Sequence, residues 1–148
     1  MRGSVVLALA GGAMMLPAFG SLAFRPVADL ASRRIGEWLA GQNLHDGYGE
    51  YWCGSEVTVR SRGRVRVRAV RPSKSKLEPN LFGADDRWYL PGVPSYFVLI
   101  RDGAASSFKP PVVRATFGKP SRVVVRDGYI VMIYDRDIAP LLTNRPTP

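Results

Sequence analysis

The strongest structural signal in this 148-residue chain is the stretch Arg122-Val123-Val124-Val125-Arg126-Asp127-Gly128-Tyr129-Ile130-Val131-Met132-Ile133-Tyr134. Two runs rich in apolar and β-branched residues flank Asp127-Gly128, a dipeptide preferred in two-residue hairpin turns because both positions tolerate positive φ. The stretch therefore predicts an antiparallel hairpin of strands 122–126 and 129–134.

The segment just before this hairpin predicts a strand and a short helix. Residues 96–100 are apolar throughout and end at Arg101-Asp102-Gly103, which is typical of a strand covered on both faces. A helix over 112–117 follows a Pro-Pro pair and stops at Gly118. Prolines and glycine interrupt residues 72–94, which predicts a long loop with one helical turn near 82–88.

The region after residue 25 begins with an amphipathic pattern. Residues 26–40 repeat apolar side chains at helical spacing, with Pro26 suited to the first turn and Gly41 to the exit. Trp38 belongs to the apolar face, so we expect it in the core. Residues 48–52 predict a short strand.

Two structures fit residues 56–69 from local pattern alone. A hairpin with a loop at Gly63 would place Val59 opposite Val65. The alternative is a helix capped by Ser55 and running to residue 62, followed by one strand. The residues themselves leave both open.

The N-terminal residues 1–25 predict an export segment. The run 3–24 is uncharged and lies between Arg2 and Arg25. Such a run is a signal peptide cleaved after Ala23 or a membrane-spanning helix of roughly 20 residues. Either interpretation puts the rest of the chain outside the cytoplasm, in the periplasm or at the inner membrane if the source is bacterial.

Composition predicts one extracytoplasmic domain at residues 26–139 and a loose tail at 140–148. The single Cys53 excludes an internal disulfide. The net charge of +9 points to an anionic partner. For an exported chain we expect a membrane with anionic lipid headgroups, a polyprenyl-phosphate-linked glycan or a membrane protein, whereas nucleic acid would require the export segment to be misassigned.

The densest positive charge lies between residues 57 and 77, where no acidic residue occurs. We predict an anion-binding surface there, because neighbouring cations repel one another unless a ligand neutralises them. A solvated face is the alternative explanation. The candidate residues are Arg60, Arg62, Arg64, Arg66, Arg68, Arg71, Lys74 and Lys76.

Catalytic and cofactor motifs are weak in this sequence. His45 and Cys53 have no evident orienting partner. Asp135 and Asp137 imitate a metal-binding Asp-x-Asp, with Asp85-Asp86 as extra charge, but Asp137 also suits a cap on the next turn. Gly47 and Gly49 lack a strand-to-helix context for phosphate binding, so we expect no cofactor and no metal.

Aromatic side chains offer a second kind of candidate site. Tyr48, Trp52 and Trp88 would stack on sugar rings if they were exposed. Strand alternation would put Tyr51 and Trp52 on opposite faces, which would leave at most one of them accessible.

The order of these motifs resembles a known family. Tyr48, Tyr51 and Trp52 in one strand, Gly118-Lys119-Pro120 before the hairpin, and Gly128-Tyr129 with Asp135 at its end are similar to the C-terminal soluble domain of bacterial GT-C-type membrane glycosyltransferases. These are multi-span proteins related to the dolichyl-phosphate-mannose-dependent enzymes. The resemblance covers residues 27–138 and implies a helix after Tyr-Trp. The fold expected is therefore α/β, a small mixed twisted sheet with helices packed on it and a hairpin at its end.

The resemblance implies a non-catalytic role. Cys53-Gly54 stands where relatives carry a small polar or acidic residue, and the multi-span portion that holds their catalytic acid is missing. We therefore expect an accessory surface of a membrane-associated, glycosyltransferase-like protein. The alternatives are a secreted enzyme that uses Asp135 and Asp137, and a basic nucleic-acid-binding module.

Overall fold

The computed structural model describes residues 30–82, 85–89, 92–103 and 108–142. The chain divides into the units Met1–Leu30 and Ala31–Pro148, and the elements below belong to the second. No helix within the described ranges is both long and apolar enough to cross a membrane. The predicted export segment at 1–25 lies outside these ranges.

Helices and strands alternate along the described chain. In order they are α1 (Ala31–Gly41), β1 (Asp46–Gly49), α2 (Tyr51–Arg60), β2 (Arg66–Ser73), β3 (Lys76–Pro79), a 3₁₀ turn (Asp86–Tyr89), β4 (Phe97–Arg101), α3 (Pro110–Phe117), β5 (Arg122–Arg126), β6 (Tyr129–Ile133) and α4 (Ala139–Leu142).

The strands form one six-stranded mixed sheet in the order β3-β2-β1-β4-β6-β5. Strand β1 is parallel to both β2 and β4, while the β2-β3, β4-β6 and β6-β5 pairs are antiparallel. The predicted α/β fold with a mixed sheet and a C-terminal hairpin is confirmed.

Each face of the sheet packs against its own pair of helices. In β4, Phe97 and Leu99 pack with α1 and α2, whereas Val98 and Ile100 pack with α3 and α4. The alternation follows from the period-2 geometry of a strand. It confirms that this strand is covered on both faces.

Residues 51–60 are helical, so the hairpin alternative for 56–69 is wrong. Cys53 and Val57, one helical turn apart, are both buried in the core beneath α1. Burial on one helix face outweighs the weak β preference of Val57, Thr58 and Val59. Gly54 permits the close approach, since a Cβ there would lie 2.9 Å from the Val67 side chain.

Four sequence-based assignments also need correction. The first strand ends at Gly49 and not at Trp52, and Glu50 rather than Ser55 precedes α2. The loop predicted at 72–94 contains β3, which burial of Leu77 holds against the sheet. Helix α4 occupies residues 140–142 of the predicted loose tail, and residues 143–148 lie outside the described ranges.

The predicted hairpin at 122–134 is present. Strand β5 pairs with β6 in register from Arg122↔Ile133 to Arg126↔Tyr129. Asp127 and Gly128 have φ of 51° and 77°, as a type I′ turn requires.

Candidate functional site

The parallel strands give the sheet two distinct edges. The carboxyl ends of β1, β2 and β4 lie at one edge, called here the carboxyl edge, and their amino ends lie at the amino edge. Helix α1 begins at the carboxyl edge, because the Ser32 hydroxyl donates to Glu56 and Glu56 pairs with Arg101, the last residue of β4. The described chain therefore enters the domain at its carboxyl edge.

The basic run of the sequence does not form one surface. Strand β2 spans seven residue steps, or roughly 23 Å at about 3.3 Å per residue. Arg60, Arg62 and Arg64 precede it at the amino edge, whereas Lys74 and Lys76 follow it beyond the carboxyl ends of β1 and β4. The eight predicted anion-binding residues are thus divided between opposite ends of the sheet.

Two members of the run serve the fold. Arg68 is buried, and its guanidinium bonds Asp46 at 2.7 Å and Ser95 at 3.0 Å. Arg66 shares the same Asp46 carboxylate at 3.0 Å. A buried arginine with a carboxylate partner is neutralised internally, so Arg68 does not belong to an exposed anion site.

The other members are exposed and differ in their partners. Arg71 pairs with Glu78 at 2.6 Å, and the Arg64 Nε donates to the Ser61 carbonyl. Within the described part of the chain, four members make no ion pair and no hydrogen bond through their side chains. These are Arg60, Arg62, Lys74 and Lys76.

Exposed aromatic and aliphatic side chains cluster at the carboxyl edge. Trp52 and Phe82 are 76% and 75% exposed, and Leu81 beside Phe82 is 45% exposed. The Tyr51 ring packs edge-on against Trp52 at 5.0 Å and against Phe82 at 5.9 Å, which holds the three rings together. We call Tyr51, Trp52, Leu81 and Phe82 the aromatic cluster.

This cluster replaces the predicted glycan-stacking set. Tyr48 is only 1% exposed and stacks on Phe117 inside the core, so it cannot meet a sugar. Trp88 is partly exposed on the 3₁₀ turn. Trp52 is accessible because it stands in the first turn of α2, not because of strand alternation.

A crevice of about 380 Å³ opens beside Trp52, next to the carboxyl ends of β1 and β4. Its lining consists of Glu50, Trp52, Cys53, Glu56 and Arg101. The connection from β1 leads to β2 on one side, and the connection from the adjacent parallel strand β4 leads to β5 on the other. Open α/β sheets commonly bind ligands at such a reversal of strand order. The Glu56–Arg101 ion pair, 2.8 Å between nitrogen and oxygen, forms part of this lining.

Cys53 in this crevice is a poor nucleophile. Its side chain is 2% exposed, and burial raises its pKa to about 11 despite the opposing effect of Arg101. The thiolate is the reactive form, so the thiol is inert at neutral pH. His45 lies before β1 at the amino edge with Nδ1 2.9 Å from the Arg64 carbonyl, which separates it from Cys53 along the strand.

Asp137 has a structural role. Its Oδ1 accepts the backbone N–H of Ser95 at 2.8 Å and that of Ala139 at 2.9 Å, so it caps α4 and ties it to the start of β4. Asp135 is exposed. Among the described residues, no three His, Cys, Asp or Glu side chains converge as metal ligands.

Gly47 and Gly49 lie in β1, and α2 follows that strand after Glu50 alone, so the strand-to-helix context that the sequence interpretation ruled out is present. Their role is packing: a Cβ on Gly47 would lie 2.6 Å from the Phe97 carbonyl, and one on Gly49 would lie 2.8 Å from Val67. Because they carry no Cβ, these glycines let β1 pack closely between β2 and β4.

A groove of about 620 Å³ adjoins the aromatic cluster on the β3 side. Arg71, Lys76, Leu81 and Phe82 contribute to its wall, with Thr116 of α3 and Leu141 of α4. Cations, the Glu78 carboxylate that pairs with Arg71, and apolar side chains therefore meet at one end of the sheet.

Comparison of the chain with known protein families, curated proteins and solved structures finds no match. The function of these surfaces must therefore be inferred from the structure itself.

Sequence reasoning missed Leu81, Phe82 and the crevice residues Glu50, Glu56 and Arg101. The only signal for Leu81 and Phe82 was their position in a proline-rich loop, where apolar residues lack a strand or helix to bury them. Glu56 and Arg101 come together across 45 positions of sequence, and nothing in the local pattern encodes that contact.

Proposed function

We propose that the protein is a non-catalytic, membrane-associated domain whose carboxyl edge lies against an anionic lipid surface outside the cytoplasm. The observation that carries the proposal is the exposure of Trp52, Phe82 and Leu81 at the edge where the described chain enters the domain. Contiguous exposed apolar side chains mark interaction surfaces in soluble domains.

Chain length supports this orientation. If residues 1–25 are held in or at a membrane, residues 26–30 span at most roughly 18 Å when fully extended. On this ground we propose that the carboxyl edge, where α1 begins, faces the bilayer. The aromatic cluster, Lys74 and Lys76 lie at the carboxyl edge. Arg60 and Arg62 lie at the amino edge.

The energies favour a shared role for rings and lysines. Transfer of Trp52 and Phe82 into an apolar phase is worth roughly 1.5–3 kcal/mol for each fully buried side chain. Lys74 and Lys76 each add roughly 1 kcal/mol beside an anionic leaflet. Tryptophan near cations is typical of membrane interfaces.

The resemblance to the soluble domain of GT-C-type membrane glycosyltransferases is compatible with this proposal. It implies a position beside a membrane and carries over no catalytic residue. In the proposal and in the resemblance alike, the anion is a phosphate-bearing lipid, either a lipid headgroup or a polyprenyl phosphate.

Vesicle flotation tests the proposal with a chain that begins at Pro26. We expect binding to phosphatidylcholine vesicles that contain phosphatidylglycerol or polyprenyl phosphate, weaker binding to phosphatidylcholine alone, and a decrease as salt screens the lysines. The two anionic vesicles distinguish a general headgroup from a lipid carrier. Stronger binding to duplex DNA than to either would instead favour the nucleic-acid alternative.

Matched variants locate the surface. Trp52→Ser with Phe82→Ser should remove most of the binding, and Lys74→Glu with Lys76→Glu should weaken it by roughly 10–100-fold. Arg60→Glu with Arg62→Glu makes the same charge change at the amino edge and should have little effect. If the arginine variant loses binding and the lysine variant keeps it, the carboxyl edge is not the docking surface.

The location outside the cytoplasm needs its own test. A reporter enzyme that works only outside the cytoplasm should be active when it is fused after Pro148. Activity in the cytoplasm would contradict both the export segment and the proposed setting.

A further inference from the structure

The two outer strands of the sheet are protected very differently. At β3, the Leu77 N–H donates to the Thr116 hydroxyl at 2.7 Å, and Pro79 has no N–H to offer. Side chains and prolines of this kind prevent a sheet edge from pairing with another strand. Strand β5, at the opposite side of the sheet, has neither feature.

The backbone of β5 presents unpaired groups to solvent. Because Asp127-Gly128 is a two-residue type I′ turn, Arg126 and Tyr129 exchange hydrogen bonds, and the next pair, Val125 and Ile130, does not. The N–H and C=O groups of Val123 and Val125 therefore point away from β6. No residue in the described ranges bonds to them.

The side chains of β5 offer a defined pattern along this edge. Val123 and Val125 are 45% and 66% exposed and lie on the face of the sheet that α3 and α4 cover elsewhere. Arg122 and Arg126 lie on the other face beside α1, where Arg122 bonds Gln42 at 3.4 Å and the Arg126 guanidinium stands 5.5 Å from the Trp38 ring centre.

The charge around this edge is positive. Asp127 contacts Arg126 at 3.4 Å but also pairs with Arg34 at 2.7 Å, and Arg33 is paired with Glu37. Arg122 has no acidic partner among the described residues. Arg126 thus shares its carboxylate with Arg34, and Arg122 has only the neutral Gln42, so the two arginines of β5 are incompletely neutralised by the described residues.

We propose that β5 is a docking edge for an extended segment of a partner protein, with acidic residues opposite Arg122 and Arg126 and apolar residues opposite Val123 and Val125. The segment adds a seventh strand, and its backbone satisfies the outward groups of Val123 and Val125. The charge complementarity selects a partner with the order acidic, apolar, any residue, apolar, acidic.

A second copy of this chain does not fit the same edge in the register that pairs Val123 with Val125. Antiparallel pairing of two β5 strands about Val124 would place Arg122 of each copy opposite Arg126 of the other. Like charges directly opposite across strands are destabilising. The tail at 143–148 does not fit either, since it contains no acidic residue and has two prolines.

The test uses the full chain in neutral detergent micelles and two synthetic probes, acetyl-Thr-Glu-Val-Thr-Val-Glu-Thr-amide and its counterpart with Lys in place of Glu. We expect the acidic peptide to bind roughly tenfold more tightly than the basic one, because two facing charge pairs change sign. Hydrogen exchange of the Val123 and Val125 amides should slow only when the acidic peptide is bound.

Two variants make the outcome decisive. Arg122→Glu with Arg126→Glu should reverse the preference between the peptides. Val125→Pro removes an outward N–H while leaving the ladder to β6 in place, so it should abolish binding of the acidic peptide, whereas Val125→Thr keeps the N–H and should retain it. Absence of binding, an unchanged preference in the arginine variant, or concentration-dependent self-association through β5 would each overturn the proposal.

Discussion

Gly128 is the residue on which the C-terminal hairpin depends most directly. Its φ of 77° lies in the region where a β-branched side chain is strained. Gly128→Val should therefore destabilise the protein by on the order of 1–3 kcal/mol in chemical denaturation. Gly41→Ala, at a position where a Cβ meets nothing within 4 Å, is the matched control and should be close to neutral. An unchanged unfolding midpoint for Gly128→Val would show that the turn is misplaced.

Burial of Cys53 makes the stability of the folded protein depend on pH. Its pKa rises from an ordinary 9.0 to about 11 in the folded protein, mainly because of burial. Above pH 9 the unfolded thiol loses its proton while the folded one keeps it, so the unfolded state binds fewer protons. Stability is therefore fully present below pH 9 and declines as pH rises toward 11, by on the order of 2–3 kcal/mol.

The measurement for this prediction compares two denaturation series across pH 8–11. Burial also raises the pKa of several tyrosines, and these contribute to the same pH range. The informative quantity is therefore the difference between the natural chain and Cys53→Ala in how steeply the free energy of unfolding falls with pH. A steeper decline for the natural chain is expected. Equal slopes, or rapid alkylation of the folded thiol at pH 7, would show that Cys53 is not buried in this way.

At the scale of elements, Asp137 joins α4 to the start of β4. Asp137→Ala removes the acceptor for the Ser95 and Ala139 amides, which should cost on the order of 1–3 kcal/mol in unfolding experiments. Asp135→Ala, at an exposed position, should change stability by less than about 0.5 kcal/mol. A melting shift with manganese that either substitution abolishes would instead support a metal site.

Local sequence pattern predicted those elements whose signals are themselves local. The Asp127-Gly128 turn, the two-sided apolar run of β4 and the glycine exit from α1 need no distant partner to be recognised. The α/β fold class followed from the family resemblance, which implied a helix after Tyr51-Trp52. The helix at 51–60 was ambiguous, because its three β-branched residues favour a strand until Val57 is buried beneath α1.

The elements that were missed depend on contacts between distant residues. Strand β3 is short and contains Pro79, and it is held by Leu77 in the core and by Thr116 from α3. The basic run is continuous in sequence, but the extended strand β2 separates its first arginines from Lys74 and Lys76 in space. Tyr48 looked like a ligand platform because its burial depends on Phe117, which is 69 positions later.

At the scale of the whole molecule, the arrangement of exposed groups separates two surfaces. The carboxyl edge combines the aromatic cluster with Lys74 and Lys76, and the β5 side combines an open backbone with exposed valines and arginines. The first suits a lipid interface and the second an extended protein segment. Loss of one binding activity need not affect the other, since they use different sides of the sheet.

We propose above all that the aromatic cluster enters a membrane interface. The most direct measurement is the fluorescence of Trp52 alone, in a chain that begins at Pro26 and carries Trp38→Phe and Trp88→Phe. On addition of vesicles with anionic lipid, we expect a blue shift of Trp52 emission and quenching by brominated acyl chains. A chain that keeps Trp88 as its only tryptophan is the matched control and should change less. Emission from Trp52 that stays at its solvent value while the protein is bound to the vesicles would contradict the account.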